Sequence, residues 1–363
     1  MAIETPLRDL HRSAGAESGE YFGAILPARF GALQEEYGAL RETAALVDTN
    51  YRAIFSLSGP DAQRYMNALL TSNVRDLKPG QGAIGLLLTP QGHILAEIET
   101  LRLPDSILAI SHAMVRERTF STLEKFIIMD DVTLEDATAT LGTLDLIGPR
   151  TGELLSEICG LPWSEIPLEE HVEVAIGSIP CRIVHHSLGD IPSAMLIAPL
   201  KHLHTLWRIL EARVREQAGA AVGMEGVNSV RLEWGLPWFG VDFGDKNIPH
   251  EAGLENSHIS YEKGCYTGQE IVERVRSRGH ANRRLTELKF LAPEPPPDGT
   301  KLLIPGTSAG AEVGYVTSTA ISPSLGYSIG LGYVRREHSS IGTRLDASGS
   351  TAEIISPPFP VSK

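Results

Sequence analysis

The chain has 363 residues, of which 42% are hydrophobic and 21% are charged, and its formal net charge is −13. This length exceeds what a single hydrophobic core usually serves, so we expect two or three domains in a soluble globular protein. The strong negative charge argues against direct nucleic-acid binding, because contacts with phosphate dominate that affinity.

The sequence gives no sign of export or membrane insertion. Met1 to Pro6 lacks the charged and apolar regions of a signal peptide, and no apolar run approaches the length of a membrane span. The three cysteines, Cys159, Cys181 and Cys265, show no C-x-x-C spacing and cannot form a disulfide framework. We therefore expect a cytoplasmic protein, since free thiols fit a reducing compartment.

The first two thirds of the chain read as alternating strands and helices. Apolar residues recur at helical spacing from Phe30 to Val47, which predicts one amphipathic helix. From residue 53 to residue 135 the pattern predicts strand, helix, three strands, helix and strand, with a hairpin at Pro90-Gln91-Gly92. This order is typical of a ferredoxin-like unit. A similar order repeats from Leu144 to Glu216, and a further helix is predicted from Gly223 to Glu233.

The C-terminal part changes character after Arg284. The proline-rich stretch 293–299 favours neither a helix nor a central strand, and the short β runs from Lys301 onward predict a small barrel or sandwich. We place a first α+β unit at residues 1–49 and 140–282, a ferredoxin-like unit at 50–139, and a β-barrel at 283–363.

The most unusual stretch is the octapeptide Lys263-Gly264-Cys265-Tyr266-Thr267-Gly268-Gln269-Glu270. Its two glycines give the backbone freedom for positive φ and for the close approach of a ligand. The cysteine lies beside a lysine and just ahead of a predicted helix, and both features would favour the thiolate of Cys265. The residues alone are equally compatible with a glycine-rich turn that holds an inert cysteine.

The segment after the octapeptide is basic within an acidic protein. Arg274, Arg276 and Arg278 supply cations close to the octapeptide. This excess of positive charge predicts a site for an anion or for a partner protein. A solvated basic helix is the alternative interpretation.

The octapeptide resembles the signature K-G-C-Y-x-G-Q-E of the YgfZ family, folate-binding proteins linked to iron–sulfur cluster maintenance. That family is related to the glycine-cleavage T-protein, an aminomethyltransferase. The resemblance extends over essentially the whole chain. It implies an α+β fold, with two interleaved ferredoxin-like α/β units around a central cavity and a small C-terminal β-barrel.

The same resemblance implies roles for the octapeptide. Cys265, assisted by Lys263, would perform thiol or cluster-contact chemistry. Because an iron–sulfur cluster usually needs four ligands, one cysteine would share any cluster with a partner. The residues that would shape the loop are Gly264, Tyr266, Gly268, Gln269 and Glu270.

The resemblance also implies tetrahydrofolate as the bound cofactor, with the first α+β unit at residues 1–49 and 140–282 as the folate-binding unit. The segment from Arg231 to Gly235 is similar to the R-L-E-x-G segment that helps to line the folate cavity in the superfamily. Arg231, Glu233 and Trp234 are therefore candidate folate ligands, and Asp190 matches an acidic position near the folate. The alternative for Arg231 and Glu233 is a structural ion pair at a helix end packed by aromatic residues.

T-proteins carry Asn-x-x-Gly-Gly-x-x-Asp-Asp at the predicted hairpin, with an aspartate proposed to act in the aminomethyl reaction. This chain has Thr89 in place of the asparagine and Ala96-Glu97 in place of the acidic pair. Glu97 keeps the charge but reaches about one methylene further, and a misplacement of ~1 Å is costly for catalysis. This departure counts against the aminomethyltransferase interpretation. Glu97 remains a candidate folate contact, and the alternative, a solvent-facing strand glutamate, is favoured over a catalytic base.

The leading expectation is a tetrahydrofolate-binding protein that supports iron–sulfur cluster assembly or repair in client enzymes, including radical tRNA-modifying enzymes. Its partners would be folate and iron–sulfur client or assembly proteins. The alternatives are a folate-dependent aminomethyltransferase or demethylase, and a folate store or scaffold with an inert Cys265. No metal site is predicted, because the adjacent His185 and His186 would point to opposite faces of a strand.

Overall fold

The computed structural model describes residues 2–292, 294–306 and 311–356. The helices are α1 (Arg8–Ser13), α2 (Leu33–Glu42), α3 (Ala62–Leu69), α4 (Arg116–Lys125), α5 (Thr151–Cys159), α6 (Leu203–Glu216), α7 (Met224–Glu233) and α8 (Gln269–Arg278). The first ten strands are β1 (Ile3–Glu4), β2 (Glu17–Tyr21), β3 (Ala24–Arg29), β4 (Ala45–Asp48), β5 (Arg52–Ser58), β6 (Gly82–Leu88), β7 (Ile94–Arg102), β8 (Ser106–His112), β9 (Thr133–Asp136) and β10 (Leu141–Ile147). The remaining strands are β11 (His171–Ile176), β12 (Ile179–Leu188), β13 (Ile191–Pro199), β14 (Ala220–Val222), β15 (Arg283–Phe290), β16 (Lys301–Leu303), β17 (Glu312–Ser322), β18 (Tyr327–Arg335), β19 (Arg344–Ala347) and β20 (Ser350–Ile355).

A six-stranded sheet in the order β11-β12-β13-β10-β4-β14 carries the largest apolar core. Helix α6 packs its apolar stripe on this core, because Leu203, Trp207, Leu210 and Val214 recur at helical spacing and all are fully buried. Helix α5 adds Leu154 to the same core. The predicted helices and strands of this region are therefore present at nearly the predicted positions.

The segment that the sequence predicted as one helix from Phe30 to Val47 is instead a helix followed by a strand. Helix α2 ends at Glu42, and β4 then pairs with β10 on one side and β14 on the other. All four residues of β4 are buried. A short apolar run is compatible with either a buried strand or a helix, so periodicity alone could not separate them.

A five-stranded sheet has the order β6-β7-β8-β5-β9, with α3 and α4 between its strands along the chain. The order strand, helix, three strands, helix, strand was predicted from the sequence and is confirmed. Strands β6 and β7 form the predicted hairpin, whose turn contains Gly92 at a φ of 78°. The small sheet β1-β3-β2 had no counterpart in the prediction.

The C-terminal strands close into a six-stranded barrel in the order β15-β18-β17-β16-β19-β20. Its interior is filled by apolar side chains from alternating positions, among them Leu288, Phe290 and Val316. The predicted small barrel is confirmed, and with it the α+β fold class.

Contacts divide the chain into two compact units. The first comprises Met1–Leu87, Leu95–Val227 and His258–Thr267, and the second comprises Leu88–Ile94, Asn228–Ser257 and Gly268–Lys363. Each unit is therefore assembled from three separate stretches of chain. The three-domain division proposed from the sequence stays a prediction.

Candidate functional site

The two large sheets face each other within the first unit. An apolar cluster fills the space between them, with Ile54 and Ile110 from the five-stranded sheet and Val184, Met195 and Ile197 from the six-stranded sheet. Polar side chains from the same strands and from neighbouring segments make contacts with one another around this cluster. We call them the inter-sheet polar cluster, and its members are Tyr51, Arg52, Glu97, Glu99, His112, Asp145, His186 and His258.

Strand pairing brings this polar cluster together. Side chains alternate between the two faces of a strand, so Glu97 and Glu99 on β7 project from the same face. Arg52 on β5 lies directly opposite His112 on β8, and Glu99 lies opposite Ile110. The cluster therefore combines neighbouring strands with residues that are far apart in the sequence.

Arg52 and Asp145 form a bidentate ion pair between the two sheets. The guanidinium donates hydrogen bonds of 2.8 Å and 2.9 Å to the two carboxylate oxygens. Burial alone would lower the pKa of Arg52, but the Asp145 carboxylate raises it overall. Both side chains are largely shielded from solvent, so the pair is fixed in geometry as well as in charge.

Glu99 and His186 form a second link between the sheets, with 2.7 Å between a carboxylate oxygen and Nε2. Burial alone would lower the pKa of His186, but Glu99 raises it overall. For Glu99 the directions are reversed. Burial alone would raise its pKa, but His186 and Arg52 lower it overall. These opposite shifts favour an anionic glutamate paired with a protonated histidine.

Aromatic rings lie beside these charges. The rings of Tyr51 and His112 stack, with centroids 5.4 Å apart and planes 20° apart, and Phe22 contacts both rings. Burial lowers the pKa of His112 to about 4, although Glu97 acts in the opposite direction. His112 is therefore neutral at physiological pH. Burial also raises the pKa of Tyr51, which keeps its hydroxyl protonated.

Glu97, a residue singled out from the sequence, pairs with His258. The distance between Oε1 and Nε2 is 3.0 Å, and the side chains are 19% and 10% exposed. The alternative of a solvent-facing strand glutamate does not describe this environment. Its role as a folate contact stays a prediction.

The backbone holds His258 in place beside Glu97. The hydroxyl of Thr71 donates a hydrogen bond of 2.6 Å to the carbonyl oxygen of His258, and the amide of Leu86 donates one of 2.8 Å to that hydroxyl. The amide of Ser260 donates to the carbonyl oxygen of Thr71 at 2.9 Å. Thr71 is completely buried, so this attachment is protected from water.

Lys263 attaches the same segment to the end of α3. Its ammonium donates hydrogen bonds to the backbone carbonyls of Asn67, Leu70 and Ser72, the last at 2.8 Å. Burial, and to a smaller extent the charge of Arg75, lowers the pKa of Lys263 to about 8. The lysine therefore supplies hydrogen-bond donors to carbonyl groups at and just beyond the end of a helix. Its predicted role beside a thiolate stays a prediction.

The rest of the octapeptide ranges from exposed to buried. Cys265 is an exposed free thiol, whereas the ring of Tyr266 is buried 5.3 Å from the ammonium of Lys263. A Cβ added at Gly264 would have no heavy atom within 4 Å, and Gly268 has a positive φ of 84°. Gln269 and Glu270 are the first two residues of α8. The proposed chemistry of Cys265 and the loop-shaping roles stay predictions.

The basic residues after the octapeptide lie on α8. Arg274 and Arg276 are exposed, and Arg276 lies 3.7 Å from Glu273. The side chain of Arg278 lies outside the described residues. The predicted anion or partner site stays a prediction.

The segment that was predicted to line a folate cavity makes internal contacts in the second unit. Arg231 pairs with Asp242, and both side chains are fully buried. Glu233 is also fully buried, and it accepts hydrogen bonds from Ser322 and from Ser324, the latter at 3.0 Å. A ligand would have to displace these partners to reach either residue.

Of the two other candidate residues, Trp234 belongs to the same segment of the second unit and Asp190 lies in the first unit. Trp234 is partly buried, and its Nε1 has no hydrogen-bond partner among the described residues. Asp190 lies at the turn between β12 and β13, is 56% exposed, and has an oxygen 3.9 Å from Arg41. The folate-binding roles of Arg231, Glu233, Trp234 and Asp190 stay predictions.

The sequence did not single out most of the inter-sheet polar cluster. Asp145 lies within the apolar run Leu144-Asp145-Leu146-Ile147, and a charged residue inside a buried strand was the available signal. His185 and His186 do point away from each other, since His185 contacts the carbonyl oxygen of Ile166 while His186 contacts Glu99. Partners so distant in sequence cannot be assigned from one chain alone.

Within the described ranges, no three His, Cys, Asp or Glu side chains are grouped so that they could hold a metal ion. Over the same ranges, no helix is long and apolar enough to cross a membrane.

Two family models match the chain. The GCVT N-terminal domain matches residues 7–259, and the glycine cleavage T-protein C-terminal barrel domain matches residues 283–359. The first match alone covers well over half of the chain. The chain therefore belongs to the glycine-cleavage T-protein family.

Curated relatives resemble the chain from end to end. An aminomethyltransferase of Desulforamulus reducens is 25% identical over 98% of this chain and 97% of that protein. An aminomethyltransferase of Rubrobacter xylanophilus is 27% identical over 92% of this chain and 87% of that protein. The crystal structure of glycine cleavage system aminomethyltransferase T from Bartonella henselae matches with a TM-score of 0.88, at 24% identity, over 99% of this chain and 98% of that one. The last similarity supports the same fold.

These comparisons correct the leading functional expectation. Support of iron–sulfur cluster assembly or repair, with radical tRNA-modifying enzymes as clients, was wrong, because the relatives that match along the whole chain are named aminomethyltransferases. The iron–sulfur client and assembly partners have no support either. The aminomethyltransferase alternative is the better supported one.

Proposed function

We propose that this protein binds tetrahydrofolate and catalyses the transfer of a one-carbon unit between an aminomethyl donor and the folate. The end-to-end similarity to named aminomethyltransferases carries this proposal. A YgfZ-type subgroup within the family stays a prediction that rests on the octapeptide.

The inter-sheet polar cluster has the residue types that such a reaction needs. The stacked rings of Tyr51 and His112 offer a flat apolar surface suited to a pterin. Glu97 offers a carboxylate that accepts hydrogen bonds from N–H groups. All three carboxylates of the cluster have partners, Asp145 with Arg52, Glu99 with His186 and Glu97 with His258. We assign Glu97 to the folate because its position on the strand matches the acidic position of the T-protein hairpin.

The chemistry requires proton transfer at nitrogen. The transferred carbon loses its bonds to the donor's sulfur and amine nitrogen and forms bonds to two folate nitrogens. Each of these folate nitrogens loses one proton, and the departing ammonia and the thiol gain one proton each. Glu97 is the residue we assign to this proton transfer, because its strand position matches the acidic position of the T-protein hairpin. Shielding from water strengthens the effect of a carboxylate placed this way.

The test begins with anaerobic calorimetry of the protein with tetrahydrofolate. It continues with a turnover assay using lipoyl-bound aminomethyl donors and, in parallel, N-methylated amines. We expect binding and turnover with an aminomethyl donor, and at least a ~100-fold loss of kcat in Glu97→Gln. Glu135→Gln, an exposed glutamate on β9 of the same sheet, is the matched control.

Three results would change the proposal. Absence of folate binding would overturn it. Binding without turnover of any donor would favour the folate store or scaffold, and turnover of N-methylated amines alone would favour a demethylase.

A further inference from the structure

We propose that His258 is a positioning residue that fixes the carboxylate of Glu97 for the reaction. This inference rests on the proposed function. Its observational basis is the contact of 3.0 Å between Nε2 of His258 and Oε1 of Glu97, made across 161 positions of chain.

The direction of the hydrogen bond follows from the chemistry of the two groups. An ionised carboxylate has only acceptor oxygens, so Nε2 of His258 must carry the proton and donate it. The bond engages Oε1 and assigns Oε2 to the substrate. His258 thus restricts rotation of the carboxylate without occupying both of its oxygens.

The other cationic side chains of the inter-sheet polar cluster are paired with carboxylates other than Glu97. Arg52 is held by Asp145, and His186 is held by Glu99. His112 is neutral at physiological pH, so it supplies no cation. His258 is therefore the residue whose hydrogen bond sets the orientation of Glu97.

Hydrogen bonds of the backbone fix the position of His258. Its carbonyl accepts a hydrogen bond from the buried Thr71, and Lys263, five residues further on, donates hydrogen bonds to carbonyls in the last turn of α3 and just after it. A histidine on a free loop could not fix a neighbour in this way. Here the backbone at His258 and in the residues that follow it is held by hydrogen bonds.

The hydrogen bond also offers a reason why a glutamate can serve at this position. Glutamate has one more rotatable bond than aspartate, so ordering its carboxylate costs more conformational entropy. A fixed donor at Oε1 selects one orientation before the substrate binds. The extra methylene then changes the reach of the carboxylate without leaving it disordered.

The experiment compares His258→Ala, His258→Gln and the control His93→Gln, an exposed histidine at the hairpin turn. We expect His258→Ala to lower kcat by about 10- to 100-fold, as is usual when a reacting group loses its alignment. The KM for tetrahydrofolate should stay within about twofold, because the folate contacts themselves remain. His258→Gln retains an N–H donor and should recover most of kcat, and His93→Gln should match the wild type.

A double-mutant cycle tests whether the two residues act together. If His258 acts through Glu97, then adding His258→Ala to Glu97→Gln should cause almost no further loss of kcat. Additive losses would overturn the inference. So would a loss below about threefold in His258→Ala, or equal losses in the alanine and glutamine variants.

A measurement without turnover separates this inference from the proposed function. In protein labelled with 15N-histidine, the Nε2–H signal of His258, assigned by its loss in His258→Gln, should be visible and should disappear in Glu97→Ala. Absence of this signal in the wild type would overturn the inference even if the enzyme is active. A visible signal in a wild type without turnover would overturn the proposed function, and the catalytic part of the inference with it.

Discussion

Lys263 and Ser72 are 191 positions apart, and the ammonium of the lysine donates a hydrogen bond of 2.8 Å to the carbonyl oxygen of the serine. The same ammonium reaches the carbonyls of Asn67 and Leu70. One side chain therefore satisfies three acceptors at the end of α3. The first residue of the octapeptide has a structural function that does not depend on Cys265.

Removal of this ammonium should destabilise the protein. In Lys263→Met the three carbonyls lose their donor in a site that is only 6% exposed, and we expect the free energy of unfolding to fall by about 2 to 4 kcal/mol. Urea denaturation measures this change. Lys201→Met, at an exposed position, should change stability by no more than about 0.5 kcal/mol. Equal effects in the two variants would contradict the structural role.

The two glycines of the octapeptide should respond differently to a methyl group. In Gly268→Ala the new Cβ would lie 2.6 Å from the carbonyl oxygen of Thr89, and the residue would be held at a φ of 84°. We expect a loss of at least about 2 kcal/mol, since positive φ alone costs ~1 to 2 kcal/mol. Gly264→Ala is the matched control, because its Cβ would meet nothing within 4 Å. Thermal unfolding compares the two, and a tolerated Gly268→Ala would refute the prediction.

The ion pair between Arg52 and Asp145 should depend on the shape of the guanidinium as well as on its charge. Lysine cannot reproduce two parallel hydrogen bonds, so Arg52→Lys should cost about 1 to 2 kcal/mol and Arg52→Ala about 3 to 5 kcal/mol. Chemical denaturation measures both, and a double-mutant cycle with Asp145→Asn isolates the coupling. Arg8→Lys is the control, because Arg8 pairs with Glu4 on the surface, where such pairs contribute little. Similar losses at Arg8 and Arg52 would count against the prediction.

Glu287 on the barrel strand β15 should make stability depend on pH. Burial raises the pKa of Glu287 to about 7 from its ordinary value of 4.5. The folded state therefore binds this proton more tightly than the unfolded state, and stability falls as pH rises from about 4.5 to about 7. Its neighbours across the strands are Leu331 and Ile355, which offer the carboxylate no charge.

Glu287→Gln removes the group that titrates. We expect this variant to be more stable than the wild type by about 1 to 2 kcal/mol at pH 8, a figure reduced for partial exposure, and to show no such gain at pH 4. Urea denaturation at the two pH values gives the comparison. Glu337→Gln, with a side chain that is 70% exposed, should show no pH-dependent gain. An identical gain for Glu287→Gln at both pH values would exclude titration as the cause.

The fold could be predicted from local patterns more fully than the site. Alternation and helical spacing identified the order of elements from β5 to β9, and glycine-separated runs identified the barrel. The region from Phe30 to Val47 was misassigned because β4 is short and buried on both faces. A local sequence pattern does not show which sheet a segment will join.

The polar contacts could not be predicted for a related reason. Arg52 and Asp145 are 93 positions apart, and Glu99 and His186 are 87 positions apart. Each residue taken alone is an ordinary charged or polar residue. Its hydrogen-bond partner depends on how the two sheets pack. Glu97 was found from the family pattern, whereas His258 was not among the candidate residues from the sequence.

The order of the stretches in the first unit has a consequence for biosynthesis. A ribosome delivers the chain from its N-terminus, and the stretch His258–Thr267 emerges only after the whole of Asn228–Ser257, which belongs to the other unit. Until then a nascent chain has Glu97 without His258 and the end of α3 without Lys263. The first unit therefore completes its hydrogen bonds only late in translation.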